Sequence, residues 1–211
     1  MRRIVMIIAF YSINFGLWEI FIKFMSNEWA SFGVYLVLFP VTFLLLGMQL
    51  KEEWKDFVCS FQKKKHFVGE LIIFFLIYLL LESVIVFFAS KFGIDIFPKN
   101  NENVSTQLHT IPLPFTFIQT CVFAPVIEET TFRYSIIGQT EKENRALLIV
   151  LCIISVIVFD AIHIFTFREF FYYLAPAIVL TTFYVRRKSV IASMILHSSL
   201  NIIGTFMLLF Q

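Results

Sequence analysis

The chain has 211 residues, of which 59% are hydrophobic and 15% charged, and its mean hydropathy is +0.82. Soluble domains average about 45–50% apolar and about 25% charged residues, so this composition excludes a soluble domain, a disordered chain and a collagen-like chain. The net charge of +2 gives no reason to expect a nucleic-acid partner, and three cysteines without a C-x-x-C pair cannot form a disulfide framework. We therefore expect an all-α fold, a polytopic transmembrane helical bundle with lipid as its solvent.

About seven apolar runs follow one another along the chain, each a candidate membrane span. They cover residues 4–24, 29–50, 67–89, 114–138, 146–165, 170–185 and 190–210. The first run follows two arginines, but it is too long for a signal-peptide core and lacks a small-x-small cleavage site, so we expect a retained signal anchor. Because there is no internal repeat and no low-complexity tract, the sequence predicts a single integral membrane domain over residues 1–211.

The distribution of lysine and arginine predicts the orientation of the bundle, because cytosolic segments of membrane proteins are enriched in both residues. A cytosolic N-terminus places twelve of the 17 basic residues inside and four outside, with Arg133 set aside because it lies in a candidate site. The inner residues are Arg2, Arg3, Lys51, Lys55, Lys63, Lys64, Lys65, Lys142, Arg145, Arg186, Arg187 and Lys188, and the outer ones are Lys23, Lys91, Lys99 and Arg168. Between spans, we predict an amphipathic segment on the inner surface at 51–66 and an irregular outer loop at 92–111.

Ionisable residues inside membrane spans cost about 2.5–3.5 kcal/mol on insertion scales, so each one is a candidate functional residue. In the fourth run, Glu129 and Arg133 are four residues apart with the acid first, a spacing at which a helix forms an ion pair. The adjacent Glu128 has no cation at helical spacing. A carboxylate of this kind is suited to act as a general base.

Two further polar clusters lie in the fifth and seventh runs. Phe159 and His163 are four residues apart, as are His197 and Asn201, so each pair shares one helix face. Residue 163 and Glu128 are equidistant from the polar run between their spans, so an antiparallel hairpin with arms of about 26 Å brings them face to face. At the helical rise of about 1.5 Å per residue, His197 lies about 12 Å into its span from the basic residues at 186–188. The clusters can meet in the inner half of the membrane if helices four and five project into the cytosol.

Each of these residues, taken alone, is also compatible with a packing role. Glu129 and Arg133 could form a structural ion pair, and polar contacts between membrane helices are common. Two acids, an arginine, two histidines and an asparagine near one depth are together a costly set to maintain for packing, which favours a functional site. Asp160 could orient His163, and Glu82 in the third span could line the same cavity.

The three motifs, in this order, resemble those of the CPBP family, the CAAX-processing and bacteriocin-processing intramembrane proteases that are also called the Abi family. Glu128 to Arg133 matches the first motif, Phe159 to His163 the second, and His197 to Asn201 the third. The resemblance covers about residues 115–210, which would be the catalytic core. Tyr134 departs from the glycine that many members have after the arginine, a change that would narrow the pocket.

The resemblance implies peptide-bond hydrolysis inside the membrane, at a site reached from the cytosol. Glu128 would activate water with the help of His163, and His197 with Asn201 would stabilise the oxyanion. Glu129 and its arginine partner, Arg133, would hold the helix geometry.

The resemblance leaves the cofactor open, because family members have been described both as metalloproteases and as glutamate enzymes that act without a metal. If a divalent metal such as zinc is present, Glu128, His163 and His197 are the expected ligands, with one position left open. The sequence has no H-E-x-x-H motif that would favour zinc.

We therefore expect an endopeptidase of the bacterial cell membrane that cleaves small membrane-associated peptides or lipidated protein tails near the cytosolic leaflet. Bacteriocin maturation, self-immunity and signalling-peptide processing are the settings implied by the resemblance. The alternative is a non-proteolytic immunity or scaffold protein that acts by binding a partner, which loss of motif residues would favour, although all six are present. A proton-coupled transporter is a third hypothesis, but the inverted repeats typical of transporters are not evident. The sequence leaves the oligomeric state open.

Overall fold

The computed structural model describes residues 1–63, 66–94, 98–138 and 144–210, with the side chains of 60–63 excepted. Within these residues the chain forms eight helices and no strand, which confirms the all-α prediction. The helices are α1 (Arg2–Phe21), α2 (Asn27–Lys63), α3 (Phe67–Lys91), α4 (Lys99–Thr110), α5 (residues 113–137), α6 (Arg145–Ala161), α7 (Glu169–Arg187) and α8 (Val190–Leu209).

Four segments in the described part of the chain are long and apolar enough to cross a membrane. They are Arg2–Phe21, Asn27–Cys59, Phe67–Lys91 and Val190–Leu209. The protein is thus an all-α membrane bundle. The other predicted spans correspond to α5, α6 and α7, so seven crossings and a cytosolic N-terminus stay predictions.

Two segments predicted as connections are helical. Helix α2 continues to Lys63 instead of ending near residue 50, because residues 51–63 contain neither glycine nor proline to stop it. Residues 99–110 were expected to be irregular, yet they form α4, with Leu108 buried and the Gln107 side chain donating to the Glu28 carbonyl at 3.5 Å. Tertiary contacts therefore stabilise a helix of low apolar content. The polar turn predicted around residues 141–143 lies outside the described residues.

Helix α5 is a composite rod in which α-helical and π-helical turns alternate. Its segments are Leu113–Ile118 (α), Gln119–Phe123 (π), Ala124–Glu128 (α) and Glu129–Ile137 (π). In the first π turn the Ala124 N–H bonds to the Gln119 carbonyl. In the same i→i+5 pattern the Thr120 carbonyl would accept a hydrogen bond from the backbone nitrogen of Pro125, but proline has no N–H to donate. The sequence of α5 therefore leaves one carbonyl inside the bundle in need of another donor.

Helices α5 to α8 pack around an apolar core that also surrounds the polar motifs. Ile127, Phe132, Leu180 and Leu196 have no exposed surface, and Phe10 of α1 packs edge-on against Phe132 at 5.2 Å between ring centroids. By contrast, α3 exposes most of its apolar side chains, as expected for a helix facing lipid. The ionisable motif residues are thus kept away from the lipid-facing surface.

Candidate active site

The two adjacent glutamates of α5 contact different partners. Glu128 faces two imidazoles, with its Oε2 at 3.6 Å from Nε2 of His163 and 3.9 Å from Nε2 of His197. Glu129 binds Arg133 instead, at 3.1 Å, and neither member of this pair has any exposed surface. Because neighbouring residues on a helix point about 100° apart, two acids in sequence take two separate roles.

The carboxylate of Glu128 is almost fully buried and is held from one side only. Its Oε1 accepts a hydrogen bond of 3.2 Å from the hydroxyl of Tyr35 in α2. Its Oε2 has no hydrogen-bond partner among the described residues. This free oxygen faces His163 and His197, so it is the atom available for chemistry.

His163 lies in the turn after α6 and not within the helix, because α6 ends at Ala161, short of the predicted end at 165. Its Nδ1 is 2.8 Å from the Phe159 carbonyl. A carbonyl can only accept, so Nδ1 carries the proton and Nε2 is left as an acceptor toward Glu128. The ring stacks on Tyr173 of α7 at 5.0 Å. Asp160, which could have oriented this histidine, makes no hydrogen bond to the ring, and the backbone carbonyl of Phe159 lies at Nδ1 instead.

Glu129 joins α5 to α8 through three donors. Besides the Arg133 ion pair, its Oε1 is 2.8 Å from Nδ1 of His197, and its Oε2 accepts from the Ser193 hydroxyl. His197 therefore presents Nε2 to Glu128 while its Nδ1 is fixed by Glu129. A carboxylate behind a histidine sets the tautomer and orientation of the ring, as carboxylates do in metal sites and hydrolase triads.

The guanidinium of Arg133 is enclosed by α5, α6 and α7. It lies over the Phe159 ring at 4.2 Å and donates at 3.5 Å to the Ala177 carbonyl. Asp160 is fully buried and interacts electrostatically with this guanidinium. Neither carboxylate oxygen of Asp160 has a hydrogen-bond partner among the described residues. Three acids, Glu129, Glu128 and Asp160, thus interact with the Arg133 charge, with Glu129 making the direct ion pair.

Asn201 contacts the backbone of α5. Its side-chain amide donates at 2.7 Å to the Thr120 carbonyl, the group that Pro125 leaves without a helical donor. One of its two amide hydrogens is therefore used to hold α8 against α5. Glu82 of α3 lies beside Tyr78 and Tyr172, with which it interacts electrostatically.

The three candidate metal ligands converge, but with wide spacing. Ligands on one tetrahedral zinc, with bonds of about 2.0 Å, lie about 3.3 Å apart, and Glu128 Oε2 is farther than this from both Nε2 atoms. In the described part of the chain, no group of three or more His, Cys, Asp or Glu side chains has metal-binding geometry. The arrangement therefore does not fit a metal ion. The distances from Glu128 Oε2 to the two Nε2 atoms suit a water molecule shared among them.

Sequence patterns did not indicate two contributors to this site. Ser193 lies one turn before His197 on the same face of α8, a spacing that could have identified it. Tyr35 is 93 residues from Glu128 along the chain, and no local pattern marks it. Only packing of α2 against α5 brings it to the site.

Comparison with known proteins agrees with this geometry. Residues 110–203 match the model of the family described as type II CAAX prenyl endopeptidase Rce1-like. The chain is also 28% identical over 122 residues to the UPF0177 protein YbdJ of Lactococcus lactis subsp. lactis, which covers 58% of this chain and 52% of the relative. The chain thus spans about half the length of this curated relative. No solved structure is a significant match. The matched segment holds all six motif residues, and the similarity supports a protein of the CPBP family.

Proposed function

We propose that this protein is an intramembrane endopeptidase in which Glu128 activates a water molecule for attack on a peptide bond. The observation that supports it most is the convergence of Glu128 Oε2 with the Nε2 atoms of His163 and His197, at 3.6 and 3.9 Å. A buried carboxylate whose free oxygen faces two acceptor nitrogens is suited to hold and deprotonate water.

In the proposed reaction, a water bound between Glu128 and His163 attacks the carbonyl carbon, and Glu128 takes its proton. The C–O bond forms as the carbonyl π electrons move to oxygen, giving a tetrahedral oxyanion. When this intermediate collapses, the C–N bond breaks and Glu128 returns the proton to the leaving amine. His163 keeps the water in line, with its own ring fixed by the Phe159 carbonyl.

His197 and Asn201 are proposed to stabilise the oxyanion. Nε2 of His197 faces the proposed water site while Glu129 holds the ring at Nδ1, so Nε2 can donate to the oxyanion when the ring is protonated. A carboxamide has two N–H hydrogens, so Asn201 retains one beyond the bond to Thr120. Oxyanion donors of this kind are worth about 2.7–4 kcal/mol each in other hydrolases.

The proposed substrates are small membrane-associated peptides or lipidated protein tails, cleaved near the cytosolic leaflet of a bacterial cell membrane. The family description names prenylated CAAX ends as substrates, and a prenyl chain would share the lipid that surrounds the bundle. Bacteriocin maturation, self-immunity or signalling-peptide processing are the proposed settings.

Substitution of the water-activating pair tests the function. Glu128→Gln keeps the shape of the side chain but cannot take a proton, so we expect cleavage of a fluorogenic prenylated peptide in lipid nanodiscs to fall by about 10²-fold or more. His163→Ala should lower the rate similarly. Glu70→Gln, which removes an acid from the distant Arg186–Arg187 pair, is the matched control and should leave cleavage unchanged.

The same variants separate proteolysis from partner binding. If Glu128→Gln inserts normally and retains full rate, or retains full bacteriocin resistance in cells, then the protease proposal is wrong and the non-proteolytic immunity hypothesis takes its place.

A further inference from the structure

Tyr35 is the hydroxyl donor to the proposed general base, and it comes from outside the segment that matches the family. It lies on α2, and its hydroxyl is 3.2 Å from Oε1 of Glu128, whereas the family match begins at residue 110. Among the described residues, no other donor to the Glu128 carboxylate is recorded. We propose that Tyr35 is a positioning residue that fixes the rotation of the Glu128 carboxylate, an inference that rests on the proposed function.

Helix α2 holds Tyr35 in register against α5 by contacts one turn away on either side. Ser31, Tyr35 and Phe39 are spaced four apart and so share one face of the helix. Ser31 accepts a hydrogen bond of 2.9 Å from the Gln119 side chain, and the Phe39 ring packs on Phe123 at 4.4 Å. The phenol is therefore placed by both a polar and an aromatic contact.

The hydrogen bond determines which oxygen of Glu128 is free. A carboxylate can rotate about its terminal bond with little resistance. With Oε1 held by Tyr35, Oε2 is left facing the Nε2 atoms of His163 and His197.

Charged and polar groups on the other elements also surround Glu128. They are Glu129 and Arg133 on α5, His163 in the turn after α6, Tyr173 on α7 and His197 on α8. A variant that removes only the Tyr35 hydroxyl leaves all of these in place, so its effect reports the single hydrogen bond.

Tyr35→Phe is the test, with Tyr11→Phe on α1 as the control that deletes a tyrosine hydroxyl elsewhere in the bundle. We expect Tyr35→Phe to lower kcat by about 10- to 100-fold, the size of a hydrogen bond to a charged group, with KM changed by less than about twofold. Tyr11→Phe should reproduce the parent kcat and KM.

A second readout does not depend on cleavage. In infrared difference spectra of the reconstituted protein at fixed pH, the Glu128 carboxyl band is identified as the one lost in Glu128→Gln. Loss of the hydrogen bond should move the frequency of that band in Tyr35→Phe and leave it in place in Tyr11→Phe. An unchanged band and rate in Tyr35→Phe overturn the positioning role. A shifted band in a protein that cleaves nothing supports it, and only the protease proposal fails.

Discussion

At the scale of single residues, the site depends on two neighbouring acids that differ in how well they are paired. Glu129 is satisfied by Arg133, His197 and Ser193 and has no exposed surface. Glu128 has one donor and one free oxygen. Removing a partner from a buried ion pair leaves an uncompensated charge, so Glu129 is the residue on which stability depends.

Glu129→Gln should therefore destabilise the fold as well as impair function. Because the buried Arg133 loses its direct ion-pair partner, we expect the free energy of unfolding to fall by about 3–5 kcal/mol, measured by denaturation in detergent micelles. The control is Glu70→Gln, because Glu70 pairs with the partly exposed Arg186 and such pairs contribute about 0–1 kcal/mol. Equal losses of unfolding free energy in the two variants would show that the buried Glu129–Arg133 pair stabilises the fold no more than the Glu70 pair does.

At the scale of elements, α5 differs from a regular α-helix in the segments that carry the candidate site. Its π turns are of the kind often found at functional sites, and the turn at Gln119–Phe123 frees the Thr120 carbonyl for Asn201. The rod ends at Gly138, whose φ of 60° is in a region that favours glycine. Arg3 of α1 packs against this glycine and lies over the Tyr134 ring at 4.5 Å. The tyrosine found in place of the family glycine thus contacts the N-terminal segment.

Gly138→Ala should weaken this junction of α1 and α5. An alanine at this position would have to keep a positive φ, which costs about 1–3 kcal/mol, and its Cβ would meet the Arg3 guanidinium. Thermal unfolding in detergent should show a lower Tm. Gly16→Ala is the control, since a Cβ at Gly16 meets nothing within 4 Å. No difference in Tm between the two variants would contradict the proposed strain.

At the scale of the whole molecule, the bundle has a lipid-facing part and a polar interior. The apolar α3 faces outward, while α5 to α8 enclose the ionisable residues. This division agrees with the cost of exposing charge to hydrocarbon. It also means that α5, α6 and α7 do not have to be as apolar as a solitary span.

Reporter fusions test the predicted seven crossings and the cytosolic N-terminus. Because basic residues are concentrated on one side, we expect alkaline phosphatase fused after residue 210 to be active outside the cell. Green fluorescent protein fused at the same place should stay dark, whereas fused before residue 1 it should fluoresce. A fluorescent C-terminal fusion would contradict an odd number of crossings with a cytosolic N-terminus.

The amino-acid sequence alone determined the fold class, because composition and long apolar runs leave lipid as the only solvent for such a chain. It also indicated the motif residues, since helical spacing and the cost of buried charge are local properties that can be read without coordinates. Only the tertiary structure decided which partner each residue has. Tyr35 contacts Glu128 from another helix. The Phe159 carbonyl, and not Asp160, contacts the His163 ring. Helix α4 forms where an irregular loop was expected. These contacts depend on packing between distant segments, for which a single sequence holds no local signal.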